Sequence, residues 1–549
     1  MYLVIAEKPS VSRAIARVIG AENREEGFLS GKDCIVSWCL GHLAEYLPPD
    51  GYDKRYESWK YEDLPIIPDE WKLAVSQEKK EQFYTLKRLL NSPDVEYVVN
   101  ACDAGREGEL IFRRVYQLSG SRKPVKRLWI SSMEDSAIRT GMEQLKDAEE
   151  YRNLAEAAVC RAKADWLVGM NATRAFTTKY YKKLTVGRVQ TPTLAMLVDR
   201  MEQIKKFRKE KYFNVELDCD GMKAERQKIF DPEEAEKLRN LCDGKDAHVM
   251  SCESVEKKVK PPRLYDLTTL QREANRIYGF TAQQTLSAAQ SLYEEKLITY
   301  PRTDSNFLTE DMETTARQVI RVIHEKYQLM GPFDKPEKPD LGRVMNNKKV
   351  SDHHAIIPTI EIADADLNDL KETEQKILFL IAVHTVEAVS REHVFREISV
   401  EVECEGEHFH AKGKEIMEQG WKIYEACFRN PDGIAIEDPK EAAKGTIPKV
   451  KKGKTFYHVE AKVTEHFTSP PKPYTEDTLL AAMETAGNKE FDADTEKKGL
   501  GTPATRASII EKLVHSQYAC RKGKQIVATD DGQSLIEILP DYLKSASMT

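Results

Sequence analysis

The sequence predicts a multidomain chain in which an α/β unit is followed by separate helical and β-rich parts. At 549 residues it is too long for one hydrophobic core, and about three to four domains is the expectation at this length. The first 150 or so residues alternate short apolar strands with amphipathic helices. Further on, strand-rich pieces at 211–255 and 395–465 flank a helical block. That pattern predicts one β domain split in sequence, carrying a helical domain between its halves.

Taken in order, MYLVIA is a short buried strand. PSVSRAIARVIG is an amphipathic helix with Pro9 near its start and Gly20 past its end. VEYVVNA (95–101) is a second, β-branched strand, GELIFRRVYQLSG the helix after an acidic loop, and KRLWISS a third strand. Residues 150–200 read as two helices around a glycine-containing turn, before the strands FNVELDCDG and AHVMSCESV. LTTLQREANRIYGFTAQQTLSAAQSLYEEKLITY is helical and runs into YPRTDS. ETEQKILFLIAVHTVEAV is a further helix, EISVEVECEGEHFHAKG is strand, and helices resume after FTSPPKPYTEDTL. No internal repeat is present.

Composition bounds the function. The chain is 41% hydrophobic and 32% charged, as a soluble globular protein is, and no apolar run reaches membrane-span length. The N-terminus lacks a signal peptide's basic start and cleavage site, so a cytoplasmic protein is expected. Ten scattered cysteines with no CxxC pair exclude a zinc ribbon and argue against a disulfide framework. A formal charge of −7 excludes a wholly basic coat but leaves room for a local basic channel. Basic clusters stand at 205–211, 256–263, 449–454 and 521–524, each also readable as a solvated face or linker.

Chemistry gathers at a few places. In NACDAGREGELIF (100–112), Asp103, Glu107 and Glu109 fall within seven residues of one another, behind an apolar strand. Glu7 and Lys8 close the first strand, and neighbouring parallel strands bring such acids together at their carboxyl ends. Clustered carboxylates repel, and a divalent cation with hard oxygen ligands, most often Mg²⁺, is the usual remedy. A lone DxxxE is explained as well by surface acids at a helix N-terminus. Glu7 at an equivalent strand end favours the metal site.

ITYPRTDSNFL carries Tyr300 ahead of a proline, in an extended segment from which its hydroxyl can project. A tyrosine has a pKa of about 10 and needs cations and a proton acceptor before it attacks; Arg302 and Lys8 are the candidate cations. SDHHAIIPT offers His353 and His354, better suited to a phosphate or proton-transfer role than to metal ligation. VGRVQTPTL (186–194) and GLGTPATRASII (499–510) are turns that open onto helices with Arg188 and Arg506, a pattern suited to phosphate. No GxxxxGK[ST] and no G-x-S-x-G occurs, so no P-loop ATPase is indicated.

Together these residues resemble the type IA DNA topoisomerases. AEKPS, DAGREGELI, RLWISSM, ADWLVGMNATRA, VGRVQTPTL, PPRLYDLTTLQREAN, ITYPRTDS, SDHHAIIPT and GTPATRA follow the family order over essentially the whole chain. The resemblance implies a Toprim metal-binding domain (1–150) with three further domains closing a toroid. These are a helical gate-base domain (151–212 and 466–549), a β-rich hinge domain (213–265 and 396–465) and a helical domain carrying the nucleophilic tyrosine (266–395). By it, Tyr300 attacks single-stranded DNA and forms a 5′-phosphotyrosine link. A second strand passes, and the 3′ hydroxyl reseals the break without ATP, so that negatively supercoiled duplex is relaxed and catenated duplex is separated. Glu7 serves in proton transfer and the metal cluster, Lys8 and Arg302 stabilise the phosphate, Asp103 and Glu107 hold Mg²⁺, and His353 assists. Arg161, Arg174, Gly187, Arg188, Val189, Gln190 and Arg506 match positions that meet the DNA strand.

A monomeric, nucleoid-associated cytoplasmic enzyme follows from the same resemblance. One departure stands out: the family's Asp-x-Asp-x-Glu has Gly105 as its middle residue here, so the site is expected to hold Mg²⁺ less tightly or to recruit Glu109 or water. The ending LKSASMT suggests a truncation, since the family continues with a further helical segment and a basic or zinc-bearing tail. The competing readings are a Toprim nuclease-like protein and a catalytically weakened DNA-binding relative.

Overall fold

The computed structural model describes residues 1–130, 133–327, 339–350, 353–428, 450–488 and 499–548. Ser131, Ser132, Ser351, Asp352, Lys449 and Thr549, from the segments quoted above, lie outside them.

Tyr2–Ala6 is the central strand of a seven-stranded sheet. It pairs in parallel with Cys34–Trp38 on one side and Tyr97–Ala101 on the other, with Ala6 opposite both Trp38 and Ala101. This register fixes the site. Glu7 and Cys102–Asp103 leave the sheet side by side at the carboxyl ends of two adjacent strands. Both faces of the strand are covered, which explains its unbroken apolar run. Leu3 and Ile5 pack toward Phe83, Leu86 and Phe112, while Val4 and Ala6 face the helical core.

The turn after Tyr97–Ala101 leads into the helix Arg106–Ser119. Here a glycine is obligatory at one place: a Cβ on Gly108 would lie 2.0 Å from the Asp103 carbonyl oxygen. The helix can press against the Asp103 backbone only because residue 108 has no side chain. Gly105 differs. Its backbone is extended (φ 160°, ψ 177°), and a Cβ there meets nothing within 4 Å.

The long helix Arg152–Tyr180 and the helix Gln190–Lys206 follow. Six antiparallel strands then close a barrel in the order Lys211–Cys219, Met222–Ile229, Glu407–Glu418, His393–Cys404, Lys245–Val259, Thr455–Phe467. Its strands come from both sides of the intervening helical block. Val215, Leu217, Val402, Phe409 and Phe456 fill the interior, so the barrel is a packed core and not a pore. Strand ends differ by a few residues from the expected limits, at Lys211, His393 and Phe467. A helix, Pro232–Cys242, sits where the sequence read only as strand.

Between the barrel strands, Leu267–Tyr278, Ala282–Glu294 and Glu372–Ala388 pack into the main core. Tyr300 follows the second of these on an extended segment, as the next residue, Pro301, requires. Side-chain and backbone bonds tie that segment to the stretch 353–357. Thr299 N donates to Ile357 O at 3.0 Å, Thr299 Oγ1 to Ala355 O at 3.0 Å and Thr303 Oγ1 to His353 O at 2.9 Å.

Candidate active site

The two sheet-end acids and the tyrosine segment meet around a cavity of about 290 Å³. Glu7, Asp103, Gly105, Glu107, Arg161, Tyr300, Arg302, His353 and Arg506 are among its lining residues. Tyr300 is buried, and its hydroxyl donates to Asp103 Oδ2 at 2.9 Å. Its ring stands edge-on to Tyr293 (5.2 Å between centroids) and tilted against His353 (4.3 Å). Burial first, and the Asp103 carboxylate second, push the Tyr300 hydroxyl above its ordinary pKa. The resting hydroxyl therefore keeps its proton and hands it toward Asp103.

Glu7 is buried beside it. Desolvation, then repulsion from Asp103, raise its carboxyl to about 8, so near neutrality it carries a proton. For Arg302, burial works against the charge, but Tyr300, Asp103 and Glu7 together hold the guanidinium above its usual range. Its Nε finds no hydrogen-bond partner among the described residues. A cation locked among acids, with an unused donor, suits an incoming phosphate.

Glu107 turns outward. It takes a hydrogen bond from His42 Nε2 (3.1 Å) and an ion pair with Arg161 Nη1 (3.5 Å). The His42 contact is the main reason its carboxyl lies below the usual range. No motif marks His42, which follows two left-handed residues, Leu40 (φ 54°) and Gly41 (φ 70°). Arg161 also approaches Asp165 (3.8 Å), which pairs with Arg188 Nε (2.9 Å). An alternating row of charges thus links the cavity to the turn carrying Gly187, Arg188 and Val189. Gln190, the first residue of the next helix, is buried with neither carboxamide atom partnered among the described residues.

Several expected residues are placed differently. Lys8 does not line the cavity; its Nζ sits 3.2 Å from Glu294 Oε1. Adjacent residues at a strand end point to opposite sides, so Glu7 and Lys8 do not face one ligand together. Glu109 is no substitute ligand. It lies fully inside, held by Arg127 Nε (2.7 Å), Arg113 Nε (3.1 Å) and Asn100 Nδ2 (2.9 Å). Two residues along a helix is more than half a turn, which carries Glu109 away from the face of Glu107. Arg174 is also buried: its Nη1 donates to Tyr56 O at 2.7 Å, and its guanidinium lies under Trp59 (4.9 Å). It pins a surface segment to the long helix, with its Nε left unpartnered among the described residues. Arg506 lines the cavity but is spent on Thr268 Oγ1 (2.8 Å) and Leu500 O (3.2 Å).

His353 lines the cavity as an uncharged ring. Burial lowers its pKa to about 3, so the ring is neutral, and Nε2 donates to the Ala104 carbonyl. It props the acidic turn against the tyrosine and brings no positive charge to a phosphate.

Among the described residues no three His, Cys, Asp or Glu side chains converge into a ready-made metal cage. The donor set still fits Mg²⁺, which binds through one or two carboxylates and takes its remaining oxygens from phosphate and water. Asp103 crowds Glu7 strongly enough to raise it, the repulsion a divalent cation relieves.

This fold and site define a type IA DNA topoisomerase, and the chain belongs to that family. The DNA topoisomerase family model matches residues 149–549 and the Toprim domain model residues 2–133. The chain is 42% identical to DNA topoisomerase 3 of Bacillus licheniformis over 575 aligned positions, covering 100% of this chain and 76% of that protein. It is 41% identical to DNA topoisomerase 3 of Bacillus subtilis, covering 100% of this chain and 77% of the relative. In fold it matches full-length topoisomerase I from Thermotoga maritima, with a TM-score of 0.74 at 23% identity, across 100% of this chain and 84% of the other.

One residue beneath the site governs its geometry. Arg127 is fully buried and donates through Nη1 to the carbonyls of Asn100, Cys102 and Leu128 (3.0, 2.7 and 2.7 Å) and through Nη2 to Asp103 O (2.8 Å). Replacing Arg127 with Met leaves buried Glu109 with Asn100 and partly exposed Arg113 and should cost about 3 kcal/mol of stability. Denaturant unfolding checks this. A paired Arg127→Met, Glu109→Leu variant should recover much of the loss, and equal stability of the single variant and wild type contradicts it.

Proposed function

We propose that the protein cuts one strand of single-stranded DNA through Tyr300, passes a second strand and reseals the break. The result is relaxed negative supercoils and separated catenanes. The observation that carries this reading is the Tyr300 hydroxyl lying 2.9 Å from Asp103 with Arg302 alongside, on segments far apart in sequence. In cleavage, the Tyr300 oxygen attacks a backbone phosphorus while its proton passes to Asp103. The bond from phosphorus to the 3′ oxygen breaks, and protonated Glu7 supplies the proton that the departing 3′ oxygen takes up. Arg302 offers its unused donor to the phosphate charge. Resealing is the reverse, with the 3′ hydroxyl attacking the 5′-phosphotyrosine. One phosphodiester is exchanged for another, so no ATP is consumed.

Asp103 and Glu107 are the residues that would hold Mg²⁺, with Glu7 adjoining. When bound, the ion supplies positive charge beside the DNA backbone. Arg161 and the Arg188 turn, joined through Asp165, supply the track along which the strand lies. The domain division given above, with the barrel as hinge, supports a gate in which the tyrosine-bearing part leaves the acidic part. No helix among the described residues is long and apolar enough to cross a membrane. A monomer working on the nucleoid in the cytoplasm fits the DNA substrate.

Tyr300→Phe removes only the attacking oxygen. Single-stranded DNA binding should persist while cleavage and relaxation fall below detection; residual cleavage at wild-type positions means another residue attacks.

Gly105→Asp finds open space and an extended backbone any residue adopts, so the added carboxylate should be accommodated without strain. The Mg²⁺ concentration for half-maximal relaxation should drop on the order of several-fold. An unchanged or weaker response shows that the lost acid is not a missing ligand.

A further inference from the structure

Tyr300 meets Asp103 across a seam between two parts of the chain, and the seam is fastened outside the cavity as well. Lys296, four residues before Tyr300, reaches across to Asp135 Oδ1 at 2.7 Å. Asp135 opens the helix Asp135–Glu143 and is held from its own side by Arg17 Nη2 at 2.8 Å. The pair is partly shielded, with the Lys296 side chain only 16% exposed.

The backbone at Lys296 is also left-handed. It has φ 68°, the left-handed conformation that closes the helix Ala282–Glu294. Lys296 N donates to Tyr293 O (2.9 Å) and Leu297 N to Leu292 O (2.8 Å), the double bond of a helix end at which glycine is the favoured residue. A lysine here keeps a strained backbone in order to present its side chain. That side chain's partner is Asp135. The aspartate carboxyl is drawn below its usual range, first by the Lys296 hydrogen bond. Beside the pair, burial first and the Glu361 carboxylate second raise Glu134, while a backbone hydrogen bond from Ile360 and the Lys296 charge act against them. Attraction at one point and repulsion at the next suit a closure that must hold and also release.

We propose that Asp135 and Lys296 form an electrostatic latch that positions Tyr300 against Asp103 and sets how readily the tyrosine-bearing part swings away. Both are positioning residues and neither touches the reacting atoms. The role assigned to opening rests on the strand-passage reading above, but the latch can be measured without DNA.

Tyr293 and Met133 are buried where the two parts meet, against Tyr300 and Asp103. Their oxidation by hydroxyl radicals, read by mass spectrometry on the full chain, reports opening. Lys296→Gly and Asp135→Asn should each raise that oxidation roughly three- to ten-fold, and the double variant no further, because both remove one interaction. Lys296→Arg should keep the wild-type rate. Thermal unfolding of Lys296→Gly should come no lower than wild type, since glycine relieves the left-handed backbone. Oxidation of exposed Tyr84 and Tyr542 should not change. Wild-type protection in Lys296→Gly, or single effects that multiply in the double variant, overturns the latch. A wild-type protein that forms no covalent DNA adduct overturns the cleavage reading instead, and the oxidation result is unaffected by it.

Discussion

The hydrogen bond from Tyr300 to Asp103 joins two pieces of structure that fold for separate reasons, and most of the molecule serves to hold its two ends. On one side, parallel pairing of Tyr2–Ala6 with Tyr97–Ala101 sets Asp103 beside Glu7. Arg127 grips the turn from below, and the absence of a side chain at Gly108 lets the following helix close on it. On the other side, Pro301 and the bonds from Thr299 and Thr303 hold the tyrosine segment extended against the stretch 353–357. Neither side contains the site; contact makes it.

That contact concentrates charge where water is scarce. Glu7, Asp103 and the Tyr300 hydroxyl compete for protons, and Arg302 is the cation packed among them. Burial first, and the crowding second, keep Glu7 protonated and Tyr300 neutral at rest. A DNA phosphate and a divalent cation both change this balance, so the site is electrostatically set for the ligands it lacks the acids to cage alone. The outward turn of Glu107 toward His42 and Arg161 connects the cluster to the alternating charges that lead to the Arg188 turn.

Much of this was legible in the sequence because strand ends and motif spacing fix backbone position. The apolar runs placed Glu7 and Asp103 at neighbouring strand ends, the residue before Pro301 had to be extended, and the two separated strand-rich pieces implied one β domain. Side-chain direction was less accessible. Lys8 and Glu109 follow from the alternation of strands and the pitch of helices, which place neighbours of a site residue on the wrong side. The surroundings of Arg174 and His353 depend on tertiary burial, which ties Arg174 to Tyr56 and keeps the His353 ring neutral. His42, Arg127 and Lys296 carried no motif of their own. Each acts through a partner distant in sequence, and only the fold brings the two together.

The most direct test of the account is to locate the covalent bond itself. Full-length protein incubated with Mg²⁺ and labelled single-stranded DNA, quenched with denaturant and digested with nuclease and protease, yields peptides for mass spectrometry. The account predicts a nucleotide mass on Tyr300 alone, attached through a 5′ phosphate. The same mass on any other residue, or cleaved DNA with no protein-bound nucleotide, contradicts it.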